Sequence, residues 1–281
     1  MKLIADSGST KTKWYLFAGS KENETVCETT GINPFFQQSS DIVKTLESEF
    51  TLETSRISRI YFYGAGAANE TKKKELYDAL HAFFAIENII IESDLLAAAH
   101  SLCGFEPGIA AIMGTGSNSC FYDGKNVVQH VSPLGFILGD EGSGAVLGKK
   151  LLADVLKNQF PQHLIKLFFD TYKTTPAEVL ENVYRKPYPN RYLAAYTRFL
   201  SANMHEQAVH DLVLESFTAF FERNIRQYQN AGEYPVNFTG SIAWHFRDIL
   251  EAAAEKTGFR VGKIVSDPLD GLIEYHRELK D

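Results

Sequence analysis

The chain has 281 residues, with 28 Lys and Arg against 35 Asp and Glu, a net charge of -7 and 44% apolar residues. This acidic balance, with no run of five or more like charges, argues against nucleic acid as the main partner. No stretch approaches the roughly 18 apolar residues that a membrane span needs, and the length suits one large or two medium domains. Cys27, Cys103 and Cys120 are odd in number and lack a CxxC spacing, so they read as reduced, buried thiols of a cytoplasmic protein. The apolar opening is broken by Asp6, which argues against a signal peptide.

In chain order, residues 2–5 and 13–18 read as strands around a loop, Asp6–Thr12, and 24–30 adds a third antiparallel strand. Helical spacing follows over 39–50, with Ile42, Val43, Leu46 and Phe50 on one face. "RIYFYGAGAAN" is a strand running into glycine, 70–85 is a helix, "NIIIES" a strand ending at Asp94, and 95–103 an Ala-rich helix. The pattern then restarts. "GIAAIMGTGSNSCFYDGKNVVQH" is a strand, a small-residue loop, a second strand, an Asp-Gly turn and a third strand. Helices are expected near 141–157, 161–171, 176–184, 190–200 and 205–230, where Phe217, Phe220, Phe221 and Tyr228 read as core. "PVNFTGSIAWHF" is a late strand entering a helix, and "DPLDGLIEYHREL" a terminal helix. Two similar halves, each with an antiparallel hairpin beside parallel strands, predict a duplicated α/β fold that binds ligand at strand carboxyl ends, in a cleft between the halves.

Five stretches carry chemistry. The Asp6–Thr12 loop holds more hydroxyls and cations than a turn requires. Its backbone N–H groups can converge on phosphate, Lys11 or Lys13 can add charge, and Asp6 can hold hydrated Mg²⁺. The alternative is a solvated hairpin; a P-loop is excluded because no GxxxxGK[ST] run is present. Gly114, Thr115, Gly116 and Ser117 form a second phosphate-loop candidate, and pairing with the first makes both more specific than either alone. Asp94 reads either as a helix N-cap or as the general base for phosphoryl transfer. In "LGDEGSG", Asp140 and Glu141 either favour the following helix dipole or accept hydroxyls of a polyhydroxyl ligand. Gly240 and Ser241, at a strand-to-helix turn, would let backbone approach a purine. The eight His residues show no metal-ligand pairing.

The ordered set "DSGSTKT", "GTGSNS", "LGDEGSG" and "FTGSIA" resembles the N-acetylglucosamine kinase family and its BadF/BadG/BcrA/BcrD-type ATPase relatives, within the actin-like sugar kinase superfamily. The resemblance spans almost the whole chain. It implies two actin-like, ribonuclease H-like lobes, each a mixed sheet flanked by helices: residues 1–104 with the terminal helix 268–281, and residues 105–267. It also implies ATP and Mg²⁺ as cofactors, a small-molecule sugar as partner and a homodimer among the expected assemblies. By residue, Asp94 falls on the catalytic base, Asp6 on the magnesium acid, and Ser9, Thr10, Lys11 and Thr12 on the first phosphate motif. Gly114–Ser117 fall on the second phosphate motif, Gly240 and Ser241 on the adenosine motif, and Asn33, Gly135 and Asp140 on sugar contacts. Ser7 and Ser9 stand where the family has glycines, Leu134 stands near the place of a tryptophan beside the N-acetyl pocket, and "GAGAAN" departs from a serine-bearing sugar loop. Amino-sugar phosphorylation is the activity implied. The alternatives are an ATPase acting on a protein partner, for which the cysteines lack cluster spacing, and a sugar-sensing regulator, for which no DNA-binding segment precedes Asp6.

Overall fold

Strand alternation organises the first unit. In β1 (Lys2–Ser7), Leu3 and Ala5 belong to one core and Ile4 to another, because successive strand side chains point to opposite faces. The computed structural model describes residues 1–8, 10–17, 25–67 and 69–279. They fall into two compact units, Met1–Phe105 with Pro268–Asp281, and Glu106–Asp267.

The first unit continues with β2 (Lys11–Phe17), β3 (Thr25–Thr30), α1 (Ser39–Glu49), β4 (Arg59–Gly64), α2 (Glu70–Phe84), β5 (Ile89–Ser93) and α3 (Asp94–Cys103). Its sheet order is β3-β2-β1-β4-β5, with β1, β4 and β5 parallel and the hairpin strands antiparallel. One face packs Leu3, Trp14 and Phe62 against Ile42 and Leu46 of α1 and Leu76 and Leu80 of α2. Trp14 is fully buried and its Nε1 donates to Thr29 Oγ1 at 2.9 Å, which satisfies the indole inside the core. The other face packs Ile4, Tyr61 and Tyr63 against Ala97 of α3 and Leu269, Leu272 and Ile273 of the terminal helix. The Tyr63 hydroxyl, 3.1 Å from His100 Nδ1 and 3.0 Å from His276 Nε2, fastens that helix in place.

The second unit comprises β6 (Pro107–Met113), β7 (Ser117–Asp123), β8 (Val127–His130), α4 (Gly135–Leu138), α5 (Gly144–Leu156), α6 (Gln162–Tyr172), α7 (Pro176–Tyr184), α8 (Pro189–Ala195), α9 (Thr197–Ala202) and α10 (Gln207–Arg223). After two short 3₁₀ turns come β9 (Val236–Thr239), α11 (Ser241–His245), α12 (Arg247–Thr257) and β10 (Val261–Val265). The terminal helix is α13 (Leu269–Glu278). The order β8-β7-β6-β9-β10 repeats that of the first unit, strand for strand.

The elements differ from the sequence expectations where tertiary partners intervene. The first loop is shorter than Asp6–Thr12, because Asp6 pairs with Lys13 and Ser7 with Thr12 in the strand ladder. The helix expected from 141 starts at Gly144, where the Ser143 hydroxyl accepts the Val146 N–H at 3.2 Å. The segment 190–200 breaks at Tyr196, and 205–230 ends as an α-helix at Arg223. Strand β10 escapes periodicity because "VGKIV" alternates poorly; it forms as an edge strand beside the buried β9.

Candidate active site

In the first unit, parallel register brings the motif residues into a row. Ser7 pairs with Gly64 and Gly64 with Ser93, so Asp6–Ser7, Gly64–Gly66 and Ser93–Asp94 stand at the carboxyl ends of three adjacent strands. Open parallel sheets bind ligands at such ends. The hairpin turn closes with Gly8 N–H donating to the Lys11 carbonyl at 3.0 Å, and the Thr10 carbonyl accepts the Gly31 N–H at 3.0 Å. Ser9 lies outside the described residues.

Ser7 does more than fill a small site. Fully buried, its hydroxyl lies 2.7 Å from Thr12 Oγ1, donates to the Ile32 carbonyl at 3.0 Å and accepts the Ile32 N–H at 3.0 Å. The hairpin is thereby tied to the segment that carries Asn33. Thr12 is also fully buried, so its hydroxyl serves this tie, while the exposed Lys11 ammonium pairs with Glu28 at 3.0 Å. Asn33 Oδ1 accepts the Phe35 N–H at 2.9 Å, which leaves the amide nitrogen as the end that can donate to a ligand. Gly66, at φ +95°, makes this approach possible, since a Cβ there would stand 2.5 Å from Asn33 Oδ1.

Asp94 is not the helix cap. Ser93 has the extended backbone of an N-cap and its Oγ accepts the Leu96 N–H at 3.2 Å, so Asp94 is the first residue of α3. The residue keeps an open edge, yet burial pushes its carboxyl above the ordinary carboxylate range, against the N–H groups of Asp94 and Leu95 that favour the anion.

The second unit laces three motifs together. Gly114 N–H donates to the Gly116 carbonyl at 2.9 Å, and Gly144 and Ala145, in the first turn of α5, donate to the Gly114 and Thr115 carbonyls at 2.8 and 3.0 Å. The Ser117 hydroxyl donates to the Glu141 carbonyl at 2.8 Å. Glu141 is held by Arg223 and by Asn224 Nδ2 at 3.2 Å, so it anchors the loop to the end of α10. Asp140 lies against the glycine turn, where a Cβ on Gly116 would come 3.2 Å from its Oδ2. Burial first, and then the Glu141 charge, push the Asp140 carboxyl up to about 6, opposed by the Ser117 N–H and by Lys149. Gly135 opens the short helix α4, and Leu134 before it is 59% exposed with φ +60°.

Gly240 follows β9 as the glycine turn follows β6, and the two strands are parallel neighbours. At φ +122°, its absent Cβ would lie 2.4 Å from the Met113 carbonyl oxygen, so no side chain is tolerated where the two loops meet. Ser241, exposed, begins α11. One residue before Gly240, Thr239 Oγ1 is buried with no partner among the described residues. A buried hydroxyl without a partner suits a site completed by a polar ligand such as a nucleotide. The sequence assigns no role to Ser93, while Ser7 and Thr239 fall inside the motifs "DSGSTKT" and "FTGSIA" without a role of their own. Each is a small hydroxyl at a strand end, and that shared placement is the signal that could have found them.

Among the described residues no group of three or more His, Cys, Asp or Glu could hold a metal ion by itself, and no helix is long and apolar enough to cross a membrane. Cys27 and Cys120 are buried, whereas Cys103 is partly exposed, which corrects the expectation that all three thiols are buried.

Two mixed five-stranded sheets of equal topology, each with a glycine turn after its central strand, define the actin-like fold class. MreB 5 of Spiroplasma citri bound to AMPPNP shares the fold at TM-score 0.60 and 12% identity, over 98% of this chain and 94% of that one. A protein from Chromobacterium violaceum provisionally named N-acetylglucosamine kinase shares it at TM-score 0.72 and 20% identity, over 98% of both chains. A Porphyromonas gingivalis protein with the same provisional name matches at TM-score 0.93 and 43% identity, over 98% of both. The chain belongs to that protein's family, the N-acetylglucosamine kinase-like group of actin-like sugar kinases. No family model and no curated protein matches it.

Proposed function

We propose that the protein is an ATP-dependent sugar kinase whose acceptor is an amino sugar, with N-acetylglucosamine the first to test. The observation that carries this reading is Asp94: relieved of capping by Ser93, it stands in line with the hairpin turn at the strand ends, with its carboxyl raised by burial. A base with a raised pKa takes a proton more effectively near neutral pH. Asp94 accepts the proton of the acceptor hydroxyl as that oxygen bonds to the γ-phosphorus, and the bond to the ADP oxygen breaks.

Backbone of the hairpin turn and of Gly114–Ser117 contacts the phosphates, with Ser9, Thr10 and Lys11 on the first unit. Thr12 contributes by fixing the hairpin. Gly240, Ser241 and the Thr239 hydroxyl receive the nucleoside. Asn33 of the first unit, and Asp140 and Gly135 of the second, are the residues that contact sugar hydroxyls in this reading. Asp6, a carboxylate at a strand end, suits a hydrated Mg²⁺, which when bound supplies charge neutralisation to the phosphates. ATP supply places the reaction in the cytoplasm.

Leu134 offers an apolar surface to an acetyl methyl and no side-chain hydrogen bond to its amide. Discrimination between acetylated and plain sugars through this residue is therefore modest, about 1–3 kcal/mol. A coupled ADP-release assay over N-acetylglucosamine, glucosamine, mannosamine derivatives and glucose, with and without Mg²⁺, tests the reading. Sugar-independent ADP release of unchanged rate would point instead to an ATPase that acts on another partner.

A further inference from the structure

The segment that follows Asn33 builds a groove of about 600 Å³ in the first unit. Its wall carries two exposed rings, Phe35 at 54% and Phe36 at 67%, where apolar side chains of this size are ordinarily buried. The rim is polar, with Gln38, Asp41, Lys72 and Glu75. The groove is held open by its own bonds. Gln37 Oε1 accepts the Asn33 N–H at 2.8 Å, and the N–H groups of Phe36 and Gln37 donate to the Asn33 carbonyl at 3.0 and 3.1 Å. Lys72 Nζ donates to the Pro34 carbonyl at 2.9 Å and to Glu75 at 2.7 Å, and lies 5.6 Å from the centre of the Phe35 ring. Ser39 Oγ donates to the Glu75 carbonyl at 3.1 Å, joining the start of α1 to the second turn of α2.

The chemistry of this lining selects its occupant. Two carboxylates, Asp41 and Glu75, face one ammonium that Glu75 already engages, so a phosphate or carboxylate ligand is disfavoured. Flat apolar rings beside carboxylate and carboxamide acceptors match a neutral ring with one C–H face and a rim of hydroxyls. That is a pyranose. The groove begins one residue beyond Asn33, so it lies next to the acceptor contact and takes a ring other than the reacting one.

We infer that Phe35 and Phe36 form a second sugar subsite, through which the protein binds a neutral disaccharide of its acceptor more tightly than the free monosaccharide. The inference rests on the sugar-kinase reading for the identity of the neighbouring ring. Binding contributed by a non-reacting part of a substrate is a usual means of holding the reacting part in place.

Isothermal titration of the intact protein, without nucleotide, with N-acetylglucosamine and with N,N′-diacetylchitobiose tests it. The disaccharide should bind about tenfold more tightly to the wild type. Phe36→Ser should abolish that advantage while leaving the monosaccharide Kd within about twofold, and Phe36→Trp should restore it. Equal Kd values for the two sugars in the wild type, or an advantage that survives Phe36→Ser, would overturn the subsite. Phosphorylation is read separately by ADP release with N-acetylglucosamine. Absence of turnover beside a Phe36-dependent disaccharide advantage would reject the kinase reading and leave the groove standing.

Discussion

Ser93 Oγ accepts the Leu96 N–H, and the neighbouring Asp94 is thereby left out of the cap. The two residues are adjacent, yet their substitutions should have opposite consequences. Ser93→Ala should lower stability by about 1 kcal/mol in chemical denaturation, with turnover changed little. Asp94→Asn should leave the denaturation midpoint almost unmoved and lower kcat by roughly 10²–10⁴, with the ATP KM near its wild-type value. Because phosphoryl transfer is largely dissociative, a loss at the low end of that range is the more natural result. More than a tenth of wild-type turnover in Asp94→Asn would remove it from the mechanism.

Asp140 predicts a pH dependence. Its carboxyl is raised to about 6 in the folded protein, above the unfolded range near ~3.9. Its contribution to stability is therefore full below the unfolded value and is lost as pH rises through about 6. Sugar binding runs the other way, since only the carboxylate accepts freely from hydroxyls. The wild-type kcat/KM for sugar should fall as pH drops through about 6. In Asp140→Asn the value should be lower and that part of the acid limb absent, leaving only the limb due to Asp94. An unchanged limb in the variant would show that Asp140 does not titrate in sugar binding.

The Ser7 hydroxyl joins the hairpin to the Asn33 segment through both the N–H and the carbonyl of Ile32. Ser7→Ala leaves those buried groups short of partners, at about 1–3 kcal/mol of stability. If the tie positions Asn33, the sugar KM should rise by roughly tenfold, about 1.4 kcal/mol, while the ATP KM changes less. Steady-state kinetics with each substrate varied in turn reads the split. A uniform loss in both KM values would mean that the hydroxyl serves folding alone.

Gly240→Ala adds a Cβ 2.4 Å from the Met113 carbonyl at a backbone angle that L-residues rarely adopt. A strain of about 1–3 kcal/mol is expected. Relief by shifting the loop should raise the ATP KM more than the sugar KM. Thermal denaturation with and without ATP would show the smaller nucleotide-induced shift in the variant.

Asp6→Asn should impair Mg²⁺-dependent turnover more than sugar binding, measured as kcat at saturating magnesium beside the sugar Kd. Near-normal kcat would relieve Asp6 of the metal role.

Local signals carried much of this molecule. Continuous apolar runs in "KLIADS" and "RIYFYG" marked strands, and the repeat of an apolar strand, small-residue turn and returning strand predicted the two similar sheets that the structure contains. Helices α1, α2 and α3 were legible to within one residue because their apolar spacing and end residues lie within a few positions of one another. What spacing could not reveal are relations between distant residues. Ser7 meets Ile32 across 25 residues, Glu141 meets Arg223 across 82, and Tyr63 meets His276 across 213. Such pairs leave no periodic trace, since each partner is an ordinary side chain or backbone group in its own segment. Only the register of adjacent parallel strands brings Ser7, Gly64 and Ser93 level. The same packing gave the cap to Ser93, and with it left the Asp94 carboxyl at the strand ends with its charge disfavoured by burial.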